Sequence, residues 1–200
     1  MNPHFIFNSI NSIQSLILAN EIDKSLNYLN DFGRMIRRTL NYSEKETVTI
    51  KEEIEFLQEY IGLEKLRFKD KINVNLIIDE KLDVAYDRIP PMLIQPFAEN
   101  AIKHGLLPKN APGELNITFK AEGDKLKCII EDDGVGRDFH LNSNKDLKHE
   151  SKGIRLIHDR LQMLKQKAAV EKDFILTIED LHDNNNRSTG TRVELLIPIL

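Results

Sequence analysis

The sequence has one cysteine, no excess of basic residues and no long apolar run, and each absence argues against a class of protein. A single cysteine, Cys128, cannot build an internal disulfide framework and fits a reducing compartment. The 28 basic residues are outnumbered by 32 acidic ones, and the net charge of −4 argues against a sequence-independent grip on nucleic acid, which needs a basic surface. No stretch reaches about 18 apolar residues, so we expect no membrane span. The first residues also lack the pattern of a signal peptide.

What the sequence does contain is the composition of a globular protein, with 40% apolar and 30% charged residues in 200. That length suits one large domain or two small ones. Apolar residues recur at helical spacing in the first third of the chain and alternate at strand spacing after it. We therefore predict a boundary near residue 70, which separates a helical region over 1–70 from a second domain over 71–200.

Three helices are predicted in the first region, over residues 3–20, 22–40 and 50–68. The first two carry apolar stripes at helical spacing. The stripe of the first helix, which is expected to pack inward, consists of Ile6, Ile10, Ile13 and Ile17. The stripe of the second helix consists of Ile22, Leu26, Leu29, Ile36 and Leu40. Thr49 and Glu52 form a capping-box pattern before the third helix. Because the first two helices make a hairpin with too little core of its own, we predict a homodimer in which two hairpins form a four-helix bundle.

Strand patterns dominate the second region. Strands are predicted over 72–78, over 115–119 and 126–131 as a hairpin, and over 174–178 and 193–199 around an exposed turn at 183–187. The polar run 138–152 reads as a loop, and a helix is predicted after it from the spacing of Ile154, Ile157, Leu161 and Leu164. This order predicts a mixed sheet covered on one side by helices.

A helix over residues 96–105 has an unusual polar arc, which consists of Glu99, Asn100, Lys103 and His104. The opposite arc is apolar and contains Ile94, Phe97, Ala98, Ala101 and Ile102. A carboxylate, an amide, an amine and an imidazole on one arc can hold a hydrated metal ion and the phosphates attached to it. The alternative is an ordinary amphipathic surface helix.

Two glycine motifs follow this helix. Asp132-Asp133-Gly134-Val135-Gly136 comes directly after an apolar run, and Gly190-Thr191 comes directly before the last one. Alone, the first motif could be a simple turn after a strand. In this order the motifs resemble the GHKL nucleotide-binding fold, and the first residues, 2–8, resemble the phosphoacceptor motif of the LytS-like sensor histidine kinases.

The resemblance implies an α+β fold, in which a helical dimerisation hairpin precedes a GHKL (Bergerat-type) α/β sandwich that binds ATP and Mg²⁺. It implies that Asn100 is the magnesium ligand and that Asp132 reads the adenine. Further nucleotide contacts are expected from Lys103, His104, Gly134, Gly136, Gly153, Gly190 and Thr191.

The resemblance also assigns the phosphoryl acceptor. His4 is the expected acceptor, and Asn8, one helical turn later, could orient the ring or the phosphate. Many histidine kinases have an acidic residue directly after the histidine, where this sequence and the LytS-like family have phenylalanine, here Phe5. The proton acceptor must therefore come from elsewhere, and Glu99 is the best candidate; its alternative role is to position a metal-bound water.

One motif departs from the family pattern. Gly153 keeps the second glycine of the family's next glycine motif, whereas Ser151 and Leu156 replace a glycine and an asparagine. Asp133 stands where the family usually has asparagine, which is a smaller change. Ser151 and Leu156 leave an alternative open, a non-catalytic nucleotide-sensing scaffold that dimerises through its helices.

The expected partners are a second copy of the chain and the receiver domain of a response regulator, without direct contact to nucleic acid. Because the chain opens at once on a functional motif, we expect Met1 to be an internal methionine, with a sensor region before it. The chain would then be the cytoplasmic part of a membrane-associated bacterial sensor and would reach the membrane only through that region.

Overall fold

The computed structural model describes residues 3–68, 71–137 and 174–200, without the side chains of Pro3 and His4. Its helices are α1 Pro3–Leu18, α2 Ile22–Glu44, α3 Ile50–Phe68 and α4 Gln95–Asn100, and a π-helical turn, Ala101–Leu106, continues α4. The three predicted N-terminal helices are confirmed, with α2 one turn longer than expected. The loop and helix predicted between residues 138 and 173 lie outside the described residues.

The strands are β1 Val48–Thr49, β2 Ile72–Ile78, β3 Arg88–Ile89, β4 Gly113–Glu122, β5 Lys125–Asp132, β6 Ile175–His182 and β7 Ser188–Pro198. Five of them form one sheet in the order β2-β4-β5-β7-β6, in which β2 pairs parallel with β4 and the other neighbours are antiparallel. The short strands β1 and β3 form a separate two-stranded ladder, which the sequence patterns did not predict.

The sheet has one buried and one polar face. Alternate residues of its central hairpin are fully buried: Leu115, Ile117, Phe119, Leu126, Cys128 and Ile130. Ion pairs such as Lys127–Glu194 lie on the other face. The predicted class, α+β with helices followed by a mixed sheet covered on one face, is therefore confirmed. β6 continues beyond the predicted 174–178, and Gly190-Thr191 lies inside β7 rather than before it.

The apolar stripes of the hairpin face away from the rest of the chain. On α1 the buried residues are Phe5 and Ser9, whereas Ile6, Ile10 and Ile17 are exposed and only Ile13 is partly covered. The prediction that the isoleucines pack inward was wrong for the single chain. On α2 the buried residues are Ser25, Tyr28, Met35 and Tyr42, and most of the predicted stripe is exposed. Periodicity identified the stripes, but the residues that pack against α3 are larger aromatic ones on the neighbouring faces.

Helix α3 is the element on which the hairpin packs. The ring of Tyr60 lies 5.4 Å from that of Phe5, and the ring of Phe56 lies 5.5 Å from that of Tyr42. Its N-terminus has the predicted capping box: the Glu52 amide donates to the Thr49 hydroxyl at 3.1 Å, and the Thr49 amide donates to the Glu52 carboxylate at 2.8 Å. Its buried apolar residues belong to one hydrophobic cluster with those of the sheet. The boundary near residue 70 stays a prediction.

Within the described residues, the helices are too short or too polar for any of them to cross a membrane.

Replacing Phe5 by alanine is expected to loosen α1 from α3. Phe5 is 1% exposed, whereas Phe7 on the same helix is 68% exposed. Phe5→Ala should lower the free energy of unfolding by about 3 kcal/mol, because a buried ring leaves a cavity. Tyr86→Ala is the control, because Tyr86 is 80% exposed and lies outside the hairpin, and it should change the free energy of unfolding by less than about 0.5 kcal/mol. Urea unfolding at one fixed low protein concentration measures both, and equal losses in the two variants would contradict this docking of α1.

Candidate functional site

Helix α4 presents the predicted apolar face to the core, since Ile94, Phe97, Ala98, Ala101 and Ile102 are all buried. The prediction of one continuous α-helix was wrong, however. From Ala101 the chain widens into a π-helical turn, in which the Leu107 amide donates to the Ile102 carbonyl at 2.9 Å. Gly105, near the end of this wider turn, lies against Asp132 at the end of strand β5. Such π turns are frequent at functional sites.

The end of β5 carries a buried carboxylate, Asp132, which is 4% exposed. Its Oδ1 accepts a hydrogen bond from the Gly134 amide at 3.0 Å. Burial raises the pKa of Asp132 to about 6, although the Gly134 and Thr191 amides lower it; the nearby Asp133 and Glu131 charges raise it further. A carboxylate in this position has two main-chain donors and unused acceptor capacity.

Two separate segments approach Asp132 closely because each has a glycine there, and a third glycine lies in the loop that follows Asp132. A β-carbon at Gly105 would overlap the Asp132 side chain, and one at Gly190, where φ is +144°, would overlap the Asp132 carbonyl. Gly134 lies in the same way against the backbone of Gly105. The site therefore tolerates no side chain at these positions without movement of the backbone or of Asp132.

Gly105 is the residue that the motif analysis missed. It closes the polar helix in the sequence, but helical periodicity gives it no role. A glycine at the end of a helix reads as a cap, and nothing local indicates that its missing side chain makes room for an aspartate 27 positions later in the sequence.

The loop after Asp132 is fixed at both ends. Asp133 accepts hydrogen bonds from the Glu114 amide and the Lys109 ammonium group, both at 2.7 Å, and the Val135 amide donates to the Gly105 carbonyl at 3.0 Å. Gly136 adopts φ +70°, and the space of its missing side chain is filled by Ser188 rather than left open. These contacts within the chain fix the geometry of the loop.

Arg137, which follows this loop, binds to a residue of β6. Its guanidinium group forms two hydrogen bonds with the Asp180 carboxylate, at 2.7 and 2.6 Å. The Arg137 hydrogen bond lowers the pKa of Asp180, against the opposing effect of burial.

The polar arc of α4 contains an internal ion pair. Glu99 and Lys103 pair with each other, and their side chains are only 13% and 12% exposed. They lie near Tyr60 and Glu64 of α3: burial, followed by the charges of Glu64 and Glu99, raises the pKa of Tyr60 well above its usual range. Burial likewise raises the pKa of Glu64, while Arg67 and Lys103 lower it.

The structure brings together most of the predicted site. Asp132, Gly134, Gly190 and Thr191 meet at one end of the sheet, where Gly105 joins them to the helix that carries Glu99, Asn100, Lys103 and His104. Asn100 is half-buried and His104 is exposed. Asn8 is half-buried one turn into α1, and His4 lies in the first turn, without a described side chain. Gly153 lies outside the described residues.

The site fits a nucleotide better than a protein-bound metal alone. A buried acceptor with spare lone pairs suits an amino group on a base. Among the described residues, no group of three or more histidine, cysteine, aspartate or glutamate side chains could hold a metal ion. A magnesium ion here would take most of its ligands from phosphates and water, as Mg²⁺ commonly does.

Comparison with known proteins identifies the family. The family model described as "Histidine kinase" matches residues 1–72. The sensor histidine kinase YpdA of Escherichia coli is 32% identical over 167 residues, which cover 82% of this chain and 29% of YpdA. The sensor histidine kinase/phosphatase LytS of Staphylococcus aureus is 31% identical over 156 residues, which cover 76% of this chain and 26% of LytS.

The fold is also found in a solved structure, that of histidine kinase ThkA in complex with response regulator protein TrrA. The TM-score is 0.50 at 17% identity, and the match covers 98% of this chain and 59% of that one. The chain belongs to the histidine kinase family. Within it, the relatives named above are sensor histidine kinases, LytS among them, and the chain spans less than a third of the length of either.

Asp132→Asn is expected to stabilise the ligand-free protein at neutral pH while weakening nucleotide binding. The folded-state pKa of about 6 lies above the usual 3.8, so the unfolded chain loses its proton first. The contribution of this group to the free energy of unfolding is greatest below about pH 4 and falls as the pH rises to about 6. Above that pH it is constant, and the total loss is up to about 3 kcal/mol.

Urea unfolding of both proteins between pH 4 and 8 measures this effect, since other groups cancel in the difference. The variant should gain on the wild type as the pH rises, and a difference independent of pH would contradict the assignment. Calorimetry should show a weaker affinity of the variant for ATP, by about 1.5–3 kcal/mol, the contribution of one hydrogen bond to a charged group.

Proposed function

We propose that this chain binds Mg-ATP over residues 71–200 and transfers the γ-phosphoryl group to His4 in the helical region 1–70. The observation that carries the proposal is the buried Asp132 carboxylate, held by main-chain amides where three glycine-containing segments meet. The family-level assignment to the histidine kinases supports the same activity.

Asp132 would accept a hydrogen bond from the exocyclic amino group of adenine. Guanine has a carbonyl at that position, so an ionised carboxylate there selects adenine. The raised pKa still leaves Asp132 ionised at pH 7 and above. Thr191 is paired with Asp132 in the neighbouring strand, and its hydroxyl would contact the same end of the nucleotide.

The polar arc of α4 would contact the triphosphate. The Asn100 side-chain oxygen would bind Mg²⁺, which would neutralise charge on the phosphates. Lys103 and His104 follow on the next turn and would contact phosphate or ribose. Glu99 would leave its ion pair with Lys103 when Lys103 turns to the phosphates, and it would then be available as a base.

In the transfer step, a ring nitrogen of His4 forms a bond to the γ-phosphorus as the bond to the β–γ bridging oxygen breaks, and ADP leaves. The imidazole proton passes to the Glu99 carboxylate. Asn8, one turn further along α1, would orient the ring. Catalysis of this kind consists mainly of positioning and charge stabilisation.

The phosphoryl group would then pass to an aspartate on the receiver domain of a response regulator. The complex of ThkA with TrrA joins a histidine kinase of this fold to such a protein. We place the chain on the cytoplasmic side of a membrane-associated bacterial sensor, to which a region outside this chain would connect it.

His4→Gln is expected to abolish autophosphorylation. With labelled Mg-ATP the wild type should gain a label that is stable in alkali and lost in mild acid, as a phosphoramidate is. His182→Gln, at an exposed position of β6, serves as the matched control and should label like the wild type. Equal labelling of His4→Gln would place the acceptor elsewhere, and a wild type that binds ATP but takes no label would favour a non-catalytic nucleotide-sensing scaffold.

We propose that the exposed stripe of the hairpin forms a homodimer interface. Its exposed apolar side chains are Ile6, Phe7, Ile10, Ile17, Leu18, Ile22, Leu26, Leu29 and Leu40. They lie on α1 and α2, next to the faces that pack on α3, so one hairpin can contact α3 and a second copy at the same time. Exposed apolar side chains along both helices of a hairpin favour a four-helix bundle.

Leu26→Glu is expected to dissociate this dimer. Asn27→Glu adds the same charge on the next residue of α2, which points away from the stripe, and serves as the control. Leu26→Glu should raise the dimer dissociation constant about 100-fold or more, since it places two charges in an apolar interface. Light scattering over a range of concentrations measures the effect, and a monomeric wild type or equal behaviour of the two variants would contradict the proposal.

A further inference from the structure

The segment that leads into α4 is buried but belongs to no helix or strand. Pro90, Pro91, Leu93 and Ile94 are buried, and Met92 is half-buried with a φ of +56°, which is rare for a residue with a side chain. The two prolines have no amide donor. Three amides remain in a stretch with little access to water, where unpaired donors are costly.

Glu53 of α3 satisfies two of these three amides. Its carboxylate accepts hydrogen bonds from the Met92 amide at 2.8 Å and from the Ile94 amide at 3.2 Å. The Glu53 side chain is fully buried. A buried carboxylate that joins two alternate amides fixes both the bend at Met92 and the direction in which the chain leaves it.

This contact determines where α4 begins. Ile94 is the N-cap residue of α4 but offers no side-chain cap. Its carbonyl accepts from the Phe97 and Ala98 amides, at 3.1 and 3.3 Å, and so forms the first hydrogen bonds of the helix. Glu53 therefore binds the amide of the N-cap residue, as the glutamate of a capping box does, but from a different helix. Glu99 and Asn100 lie in the following turn.

We propose that Glu53 is a positioning residue for phosphate and metal binding, which holds α4 and thereby Asn100 in place. This inference rests on the proposed binding of Mg-ATP. Asp132 is held by strand pairing and by the Gly134 and Thr191 amides instead. Loss of Glu53 should therefore affect contacts to the phosphates and spare contacts to the base.

The same helix also contacts the hairpin that carries His4. One turn or more beyond Glu53, α3 presents Glu59 to Arg38 and Arg34 of α2, and Tyr60 to Phe5 of α1. Through Glu53, one rigid helix places both the predicted acceptor helix and the predicted phosphate-binding helix.

The test compares Glu53→Gln with the wild type in the 200-residue chain. Glutamine keeps the size of the side chain but offers one acceptor oxygen in place of two, without charge. Calorimetry measures the affinity for Mg-ATP and, separately, for adenosine without metal. Glu53→Gln should weaken Mg-ATP binding about tenfold and leave adenosine binding within about twofold, and hydrogen exchange at Met92 and Ile94 should become about tenfold faster.

Ile61→Ala is the matched control, because Ile61 is buried two turns along the same helix and makes its contacts with core side chains. It should lower thermal stability without changing the ratio of the two affinities. If Glu53→Gln fails to fold, Glu53→Asp, which keeps both acceptor oxygens, undergoes the same comparison and should show a smaller change in the same direction.

The positioning role would be overturned if the affinity ratio were unchanged in the Glu53 variant, or if Ile61→Ala changed it equally. Mg-ATP binding by the wild type would still support the proposed function in that case. A wild type that does not bind Mg-ATP would overturn both.

Discussion

The packing of α3 is the constraint on which most of this structure depends. Its aromatic residues cover the inner faces of α1 and α2, and its first turns hold the loop before α4. Main-chain bonds add to this, since the Ile50 amide donates to Asp87 and the Lys51 amide to Val84. Because interiors are close-packed, a helix with neighbours on several sides cannot shift against one of them alone. Movement of the hairpin would therefore reach the segment that precedes the candidate site.

The site itself is built at a cost to stability. A carboxylate that is 4% exposed is disfavoured in its charged form, and the two amides that bind Asp132 offset only part of this, since the pKa remains raised. An asparagine of the same shape would avoid the penalty. An acid at this position is favourable when a bound ligand supplies the missing hydrogen-bond donor. This is the pattern expected of a binding site, where local stability is given up for function.

The two faces of the hairpin separate two kinds of contact. Phe5, Tyr28, Tyr42 and Met35 pack within the chain, whereas aliphatic residues and Phe7 are left exposed. Aliphatic stripes at helical spacing suit a symmetric bundle, because identical helices can interdigitate. Aromatic residues suit a unique neighbour such as α3.

Sequence alone determined the local elements and the chemistry of the motifs. The helices, the strands 72–78 and 126–131, the capping box at Thr49 and the buried face of α4 follow from spacing and from neighbours within a few residues. Only the tertiary structure decided which hairpin face is covered, that α4 widens at Ala101, that Gly105 makes room for Asp132, and that Glu53 holds a loop some 40 residues away. The physical reason is that periodicity shows which side chains share a face, whereas the identity of the neighbour depends on contacts between residues far apart in the sequence.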